Sequence, residues 1–536
     1  MKKFGNVYLI SAIAIIGGGL FGFDISSMSA IITSPAYLCY FNQGPNGPTF
    51  NNQSCSGPRS STQGGITASM AGGSWIASLG SGFFSDKFGR RTVIMAGAVI
   101  WIIGCIIVSA TQNIAMLIVG RIINGICVGI CSAQVPVYIS EIAPPSKRGR
   151  LVGAQQWAIT WGICIMFYIS YGCSFLDGTS AFRIPWALQM IPAIALMSGM
   201  LILPESPRWL ASKDRWEECE AVLILTHGKG DPYSPWVARE FQEIREWVEI
   251  ERRSKQITYI DLFKPRYLNR THIGIFIQVW SQLTGINVMM YYIGYIFTMA
   301  GLSGNNLLLT SSIQYVINVV MTIPALIWID RIGRRPTLLV GSILMSIFLF
   351  ANAAIFATQG VPVPDGVNGI KEASLKVSGP ASKAIIACSY LLVASYAPTW
   401  GPVSWIYPPE LYPNQLRGKA VALSTSANWA FNFALGYFVP PAFVNITWKT
   451  YILFGVFCIL MTIHVYFLFP ETAGKPLEEV TEIFEDPNGP KWIGTPAWRT
   501  KNYTSTVEKM EHGEGLEKPR SNSFERKESV CVGRQV

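Results

Sequence analysis

The sequence predicts an all-α membrane protein of twelve transmembrane helices, arranged as two pseudo-symmetric halves of six. Three observations carry that prediction. Half of the 536 residues are hydrophobic and only 14% are charged, so the charges cannot cover a soluble globule of this length. Apolar runs of ~20 residues, long enough to cross ~30 Å of hydrocarbon, recur along the chain. Short loop motifs of the first half return in the second.

Spans one to six are read at 7–29, 65–85, 92–110, 114–138, 151–173 and 184–204. Spans seven to twelve are read at 271–300, 307–329, 336–358, 384–407, 419–443 and 449–469. The first follows Met1-Lys2-Lys3 and imitates a secretory leader. It contains Asp24, however, and lacks a small-x-small cleavage site, so it is read as a retained span. The division that follows is 1–204 for the first bundle, 205–270 for a polar linker, 271–469 for the second bundle and 470–536 for a polar tail. In the linker, Asp214-Arg215-Trp216-Glu217-Glu218 precedes a run from Glu240 to Arg253 with amphipathic helical spacing. The tail is rich in Glu and Lys, which predicts a cytoplasmic, partly disordered extension.

A net charge of +10 invites a nucleic-acid reading, but the placement of the basic residues excludes it. Lys87, Arg90 and Arg91 fill one short loop, and Lys147, Arg148 and Arg150 fill another. Arg331, Arg334 and Arg335 fill a third, and Arg417 and Lys419 a fourth. The intervening short loops are nearly bare of them. This alternation is the positive-inside signature and puts both termini in the cytoplasm. Most of the 11 Cys lie in apolar stretches and read as small buried hydrophobes. Cys39 and Cys55 differ, because both lie in the polar loop after span one, outside the cell, where a disulfide can persist. Asn52 in Asn52-Gln53-Ser54 is a glycosylation sequon on that loop.

The internal repeat is explicit. Asp86-Lys87-Phe88-Gly89-Arg90-Arg91 returns as Asp330-Arg331-Ile332-Gly333-Arg334-Arg335. Glu141 with Arg148-Gly149 returns as Glu410 with Arg417-Gly418 at the same spacing, and Pro204-Glu205-Ser206 returns as Pro470-Glu471-Thr472. Parallel repeats of this kind place a substrate site near mid-membrane between the halves, which rock to expose it to each side in turn. The repeated acids beside repeated arginines predict cytoplasmic ion-pair networks that hold one gate state and break in the other.

No nucleophile and base, metal-ligand spacing or phosphate-cradling loop stands out, so no enzyme, metal or cofactor is expected. Gly17-Gly18-Gly19 lies inside a span and reads as close helix packing. Asp24 is the only acid well inside any span, and Arg121 the only base comparably deep. Each costs roughly 2.5–3.5 kcal/mol to insert, so both are candidate functional residues. Asp24 lies ~25 Å from the inner end of span one and Arg121 ~10 Å from the outer end of span four, which puts both in the outer half of the membrane, near enough to pair. Taken alone, these residues leave two readings open. One is a pair that loosens when Asp24 is protonated, as proton coupling requires; the other is a static ion pair. Uncharged polar side chains cluster on certain spans: Gln156, Gln278, Gln282, Asn287, Asn318, Trp405, Asn428, Trp429 and Asn432. Carboxamides donate and accept, which matches hydroxyls, and indole faces suit the C–H side of a sugar ring.

Over residues 5–485 the chain resembles the sugar porters of the major facilitator superfamily. The resemblance rests on GGGLFGFD (17–24), GFFSDKFGRR (82–91), VPVYISEIAPPSKRGRL (135–151), PESPRWL (204–210), QLTGINVMMYY (282–292), DRIGRRP (330–336), NWAFNF (428–433) and PETAGKPLEEV (470–480). Through GGITASMAGGSW (64–75), MMYYIGYIF (289–297) and SSIQYVINVVMTIPAL (311–326) it is most similar to the fungal high-affinity glucose transporters. The resemblance implies the major facilitator fold and a monomeric, multi-pass transport unit in the plasma membrane. That unit takes a monosaccharide, hexose or pentose, and protons. It implies that Asp24 takes the proton and pairs with Arg121. It implies sugar contacts at Gln156, Gln278, Gln282, Asn287, Asn318, Trp405 and Asn428, and an outer gate at Tyr291 and Tyr292. The alternatives are a facilitative uniporter with Asp24 structural, and a transporter-like sugar receptor.

Two departures stand out. The family usually has two adjacent Gln where this chain has Ser281-Gln282, so one long amide is replaced by a short hydroxyl, which bears on the sugar preferred. Phe23 replaces the commoner Tyr before Asp24, with a modest expected effect.

Overall fold

The structure, a computed structural model, describes residues 5–42, 55, 57–144, 148–228, 230–253, 258–364, 366, 367, 370, 372–412, 414–473, 480 and 484. The Asn52 sequon and almost all of the tail lie outside the described residues, as do the side chains of Arg148 and Asp330.

All twelve predicted spans are helical, but four of them are interrupted. Span one is α1 (Val7–Ala14) and α2 (Ile16–Ile31), hinged at Ile15. A short outer helix α3 (Pro35–Tyr40) follows. Spans two to five are α4 (Ser60–Phe88), α5 (Arg90–Ser109), α6 (Ile114–Ile142) and α7 (Arg148–Cys173). Span six is α8 (Ser180–Leu188) and α9 (Met190–Ile202). The linker forms α10 (Pro207–Ser212), α11 (Trp216–Thr226), α12 (Pro235–Arg253) and a 3-10 turn at Tyr259–Phe263. Span seven breaks into α13 (Pro265–Leu283), α14 (Ile286–Tyr291) and α15 (Ile293–Met299). Spans eight and nine are α16 (Gly304–Ile332) and α17 (Arg334–Gln359), and span ten breaks into α18 (Pro380–Tyr396) and α19 (Trp400–Leu411). Spans eleven and twelve are α20 (Asn414–Asn445) and α21 (Lys449–Leu468). Apolar runs do not reveal such breaks, because Ile15, Gln189, Gly285 and Ala397 each lie inside a run that stays apolar on average. Span seven turns at Gly285, whose φ of 77° suits glycine.

Among the described residues, nine segments are long and apolar enough to cross a membrane on length and composition alone. The three spans that fall short are α4, α7 and α20, which are rich in Gly, Ser, Thr, Asn and Gln. These three form the seam between the halves, where α4 lies along α20 and α7 packs against α16 and α19. Side chains there face protein rather than lipid, so low hydropathy is tolerated. Within the first half, small residues bring backbones together. A methyl group on Gly125 of α6 would sit 2.0 Å from the Met70 carbonyl of α4, and one on Gly22 of α2 would sit 2.1 Å from the Ile159 carbonyl of α7.

On one side of the membrane, α10 to α12 close on Leu210, Val222, Leu223, Val237, Ile244 and Val248. Trp209 Nε1 donates to the Asp86 carbonyl (3.1 Å) and Tyr259 Oη to the Leu79 carbonyl (2.9 Å), which docks this layer onto α4. On the other side, Cys39 and Cys55 form a disulfide. The long loop after α17 is not bare coil. It carries a hairpin of β1 (Val361–Pro362) and β2 (Leu375–Lys376), with Val377 N bonded to the Met299 carbonyl at 2.8 Å.

Candidate functional site

The networks predicted for the cytoplasmic side form in both halves, and most of their described bonds match. In the first, Gly89 joins α4 to α5 and puts Arg90 beside Asp86 (3.2 Å) and Glu141 (3.2 Å). Glu205 accepts from the Arg91 backbone N–H (3.1 Å), Ser206 Oγ bonds Glu141, and Tyr138 Oη donates to the Pro204 carbonyl (2.6 Å). In the second, Gly333 joins α16 to α17 and Arg334 meets Glu410 at 2.7 Å. Glu471 accepts from the backbone N–H groups of Arg334 (2.9 Å) and Arg335 (3.0 Å), and Thr472 Oγ1 donates to Glu410 (2.7 Å). Tyr407 Oη donates to the Pro470 carbonyl (2.5 Å). Gly89 and Gly333 both have φ 95°, a conformation that favours glycine. A methyl group at Gly89 would lie 2.4 Å from Glu205 Oε2, and one at Gly333 would lie 2.6 Å from Glu471 Oε2. Arg417 donates to the Tyr412 carbonyl at 3.3 Å, as Arg90 and Arg334 do to the Ser85 and Ile329 carbonyls, each at 3.2 Å. Glu471, Tyr138 and Tyr407 were not singled out from sequence, although the Pro-Glu-Ser/Thr repeat pointed at the first.

Asp24 and Arg121 meet inside the first half. Arg121 Nη1 and Nη2 donate to the two carboxylate oxygens at 3.1 and 3.0 Å, a two-pronged pair in which both residues are only 1% exposed. Arg121 also donates to the carbonyls of Ile66 (2.8 Å) and Thr67 (3.3 Å) on α4. The guanidinium is thereby held on three helices. Removing either partner from a buried pair strands a charge, at a cost of roughly 3–5 kcal/mol.

A cavity lined by both halves lies where they meet. The second half supplies most of its polar lining: Gln282, Asn287, Asn318, Trp405 and Asn428, with Ser281 and Tyr396. From the first half come Gln156 and an apolar wall of Phe21, Ile25, Ile159 and Ile163. Among the described residues, no charged side chain lines it. Gln282 is the hub of the amides, bonded to Asn428 and Asn287, with Asn432 Nδ2 donating to it at 3.3 Å. Trp405 Nε1 donates to Gln156 Oε1 (3.1 Å) across the seam. Asn318 Oδ1 is buried without a donor from the protein, an acceptor available to a ligand hydroxyl.

Six of the seven predicted sugar contacts therefore line one cavity, and Gln278 does not. Lying one turn below Gln282 on α13, it donates to the Ser404 carbonyl at 2.7 Å and holds α13 to α19. Helical spacing puts both glutamines on one face, and only the packing of α19 decides which reaches the cavity. Tyr396 and the apolar wall were not singled out from sequence, since an apolar side chain inside a span gives no signal of where it points. Trp429 is buried behind the cavity, donating to Ser132 Oγ (3.0 Å) and meeting Phe21 edge-on at 4.7 Å.

Above the cavity Tyr291 and Tyr292 are both buried. Tyr292 Oη donates to the Gly436 carbonyl (2.7 Å) and its ring stacks on Tyr295 at 5.6 Å. Ser29 Oγ and Tyr315 Oη, 2.9 Å apart, tie α2 to α16 across the seam.

With this geometry in place, the family is decided by a match over residues 10–484 to the model for "Sugar (and other) transporter". The chain belongs to the sugar transporter family. A high-affinity glucose transporter of Kluyveromyces lactis is 50% identical over 96% of this chain and 91% of its own length. The high glucose sensor of Saccharomyces cerevisiae is 34% identical, over 92% of this chain but only 62% of the sensor. Among solved structures, the proton:xylose symporter XylE bound to 6-bromo-6-deoxy-D-glucose overlays with a TM-score of 0.73 at 27% identity, covering 89% of this chain and 99% of that one. The fold is thus the twelve-helix major facilitator fold, and the chain is a multi-pass membrane transporter.

Proposed function

We propose that this protein is a plasma-membrane symporter that couples uptake of a monosaccharide, a hexose such as glucose or a pentose such as xylose, to protons. The observation that carries the reading is a cavity of neutral amides and indole shared by two halves, walled on one side by the helix that holds the buried Asp24–Arg121 pair. Phe21 and Ile25 line the cavity from α2, and Asp24 sits between them on that helix. The relatives' stated substrates, glucose and xylose, support the same class.

The mechanism follows from these contacts. Protonation of Asp24 removes the charge that holds Arg121, and α2 is then tied to α6 less firmly. Phe21 and Ile25 move with α2, so the wall of the sugar cavity and the edge-on contact with Trp429 respond to the proton. Bound sugar satisfies the Asn318 acceptor and the amides around Gln282 with its hydroxyls. The bundles 1–204 and 271–469 then rock about the site while the linker 205–270 follows on the cytoplasmic side, with both termini in the cytoplasm. The ion pairs at Glu141 and Glu410 hold the inner side shut and open together. One transport unit is a monomer.

The test is uptake of labelled glucose and xylose at acidic pH in cells lacking their own sugar transporters, with and without a protonophore. Accumulation above equilibrium that collapses with the protonophore supports symport. Uptake that equilibrates regardless of protonophore makes the protein a facilitator, and no uptake of any sugar moves it to the receptor class.

A further inference from the structure

Two of the four histidines meet in the second half, toward the end where the linker packs. His272 on α13 and His464 on α21 have ring centroids 4.9 Å apart, with Phe276 at 5.0 Å and Phe469 at 5.3 Å from His464. Trp280 Nε1 on α13 donates to His464 Nδ1 at 2.7 Å. His464 is the sixth residue before Pro470, and the sixth before Pro204 in the first half is Ser198. The cluster thus belongs to one half and stands apart from the repeated ion pairs.

An indole nitrogen only donates, so His464 Nδ1 is a bare lone pair and its ring is neutral, with the proton on Nε2. An imidazolium carries N–H on both nitrogens and accepts nothing. A proton on Nδ1 and the bond to Trp280 therefore exclude each other. His272 Nδ1 is buried without a protein partner, and a charge on either ring opposes one on the other. Of the elements packed against α21, α13 also brings Arg266, over the Tyr267 ring at 5.5 Å, and Arg270, over the Phe484 ring at 5.1 Å. From α17 come Arg334, paired with Glu410, and Arg335, which donates to the Tyr466 carbonyl (2.7 Å). Glu471 accepts from the backbone of both, and α20 carries Arg417 and Lys419 near its start. Among these described residues, His272 is the titratable group in ring contact with His464.

The bond braces the stretch of α13 that reaches the cavity. Trp280 directly precedes Ser281 and Gln282 on the cavity wall, and α13 ends at Leu283 before the turn at Gly285, so no continuous helix carries on to hold it. Gln278 ties this stretch to α19, and Trp280 ties it to α21. We propose that His464 is a positioning residue for the sugar site: its neutral ring anchors Trp280 and with it the Gln282 hub, and a proton from the cytoplasmic side takes the Nδ1 lone pair, releases Trp280 and weakens sugar binding. This rests on the sugar-transport reading above and adds to it a residue and a brake. Uptake that carries protons inward loosens the site as the cytoplasm acidifies.

The test uses the full-length protein in inside-out membrane vesicles from transporter-deficient cells, so that the cytoplasmic face meets the medium. Glucose KM is measured with the medium at about pH 7.5 and about pH 5.5, either side of the ordinary imidazole value, and the lumen buffered. Asp24 is common to every variant, so the quantity read is the factor by which KM changes between the two pH values, compared between native protein and each variant. His464→Phe keeps a ring and removes the acceptor, and is expected to raise KM about 5-fold at the higher pH, the usual effect of one neutral hydrogen bond. His464→Asn restores an acceptor that takes no proton, and is expected to recover most of that loss. The native factor should exceed the His464→Asn factor about 5-fold. Trp280→Phe should match His464→Phe in both KM and pH response. Equal factors in native protein and His464→Asn, a native KM in His464→Phe at the higher pH, or a native pH response in Trp280→Phe overturns the proposal while leaving sugar transport intact. Absence of glucose uptake by the native protein instead fails the sugar-transport reading itself. Immunoblotting of the vesicles separates loss of protein from loss of affinity.

Discussion

The two halves of this transporter agree at the ends where the linker packs and differ around the cavity between them. Arg90 with Glu141 and Glu205 repeats almost bond for bond as Arg334 with Glu410 and Glu471, down to a glycine at φ 95° in each. At mid-membrane the first half buries a charged pair and lines the cavity mainly with Phe and Ile, while the second supplies uncharged amides and two aromatic residues with polar tips. The repeat thus keeps one ion-pair scaffold in both halves while the two centres differ. On the proposed mechanism, one half handles the proton and the other the sugar hydroxyls, and the shared wall couples them.

That division of labour can be broken most sharply at Asp24. Asp24→Asn is expected to abolish protonophore-sensitive accumulation while retaining sugar exchange, measured as counterflow in vesicles. Concentrative uptake by the variant would return the pair to a structural role. On the other side of the cavity, Asn428→Ala is expected to raise KM about 10-fold, because Gln282 Nε2 loses its acceptor. Its accumulation ratio at saturating sugar should stay native. A lost proton dependence in that variant would mean the two tasks are not divided between the halves.

The equivalence of the inner ends is tested by Gly89→Ala and Gly333→Ala. Each meets a carboxylate oxygen and an unfavourable φ, and each is expected to destabilise by about 1–3 kcal/mol, read as a shorter thermal half-life in detergent. A tenfold difference between the two half-lives would show that one network carries the closure alone. A smaller effect is expected with pH. Burial raises the Glu205 carboxyl above its ordinary 4.5, more than its backbone hydrogen bonds and Arg90 lower it. Its contribution to stability is then fully present below pH 4.5 and is lost as pH rises through the raised value. Glu205→Gln should flatten that part of the half-life profile, and an unchanged slope would assign it to another group. Gln278→Ala is expected to alter KM less than about 2-fold, as suits an amide bonded to a backbone carbonyl outside the cavity.

Much of this was legible in the chain because membranes constrain sequence strongly. Charges are expensive in hydrocarbon, so Asp24 and Arg121 could be picked out and expected to pair from their depths alone. The repeated Asp-x-x-Gly-Arg-Arg loops marked the two networks before their geometry was known, and Cys39 and Cys55 stood apart from the other cysteines by compartment. The breaks in spans seven and ten were not legible, because the hydropathy of a run does not change when a helix turns within it. Nor was the roles' division between Gln278 and Gln282, which share a helical face.

By itself, then, the sequence determined the spans, the repeat and the identity of the costly buried charges, since each follows from transferring residues between water and lipid one segment at a time. Only the tertiary structure decided which polar side chains share a cavity, that Tyr396 stands beside Ser281, and that the least apolar spans form the seam. Those facts depend on which faces of separate helices meet, and contacts between residues more than a hundred positions apart leave no periodic trace in either segment.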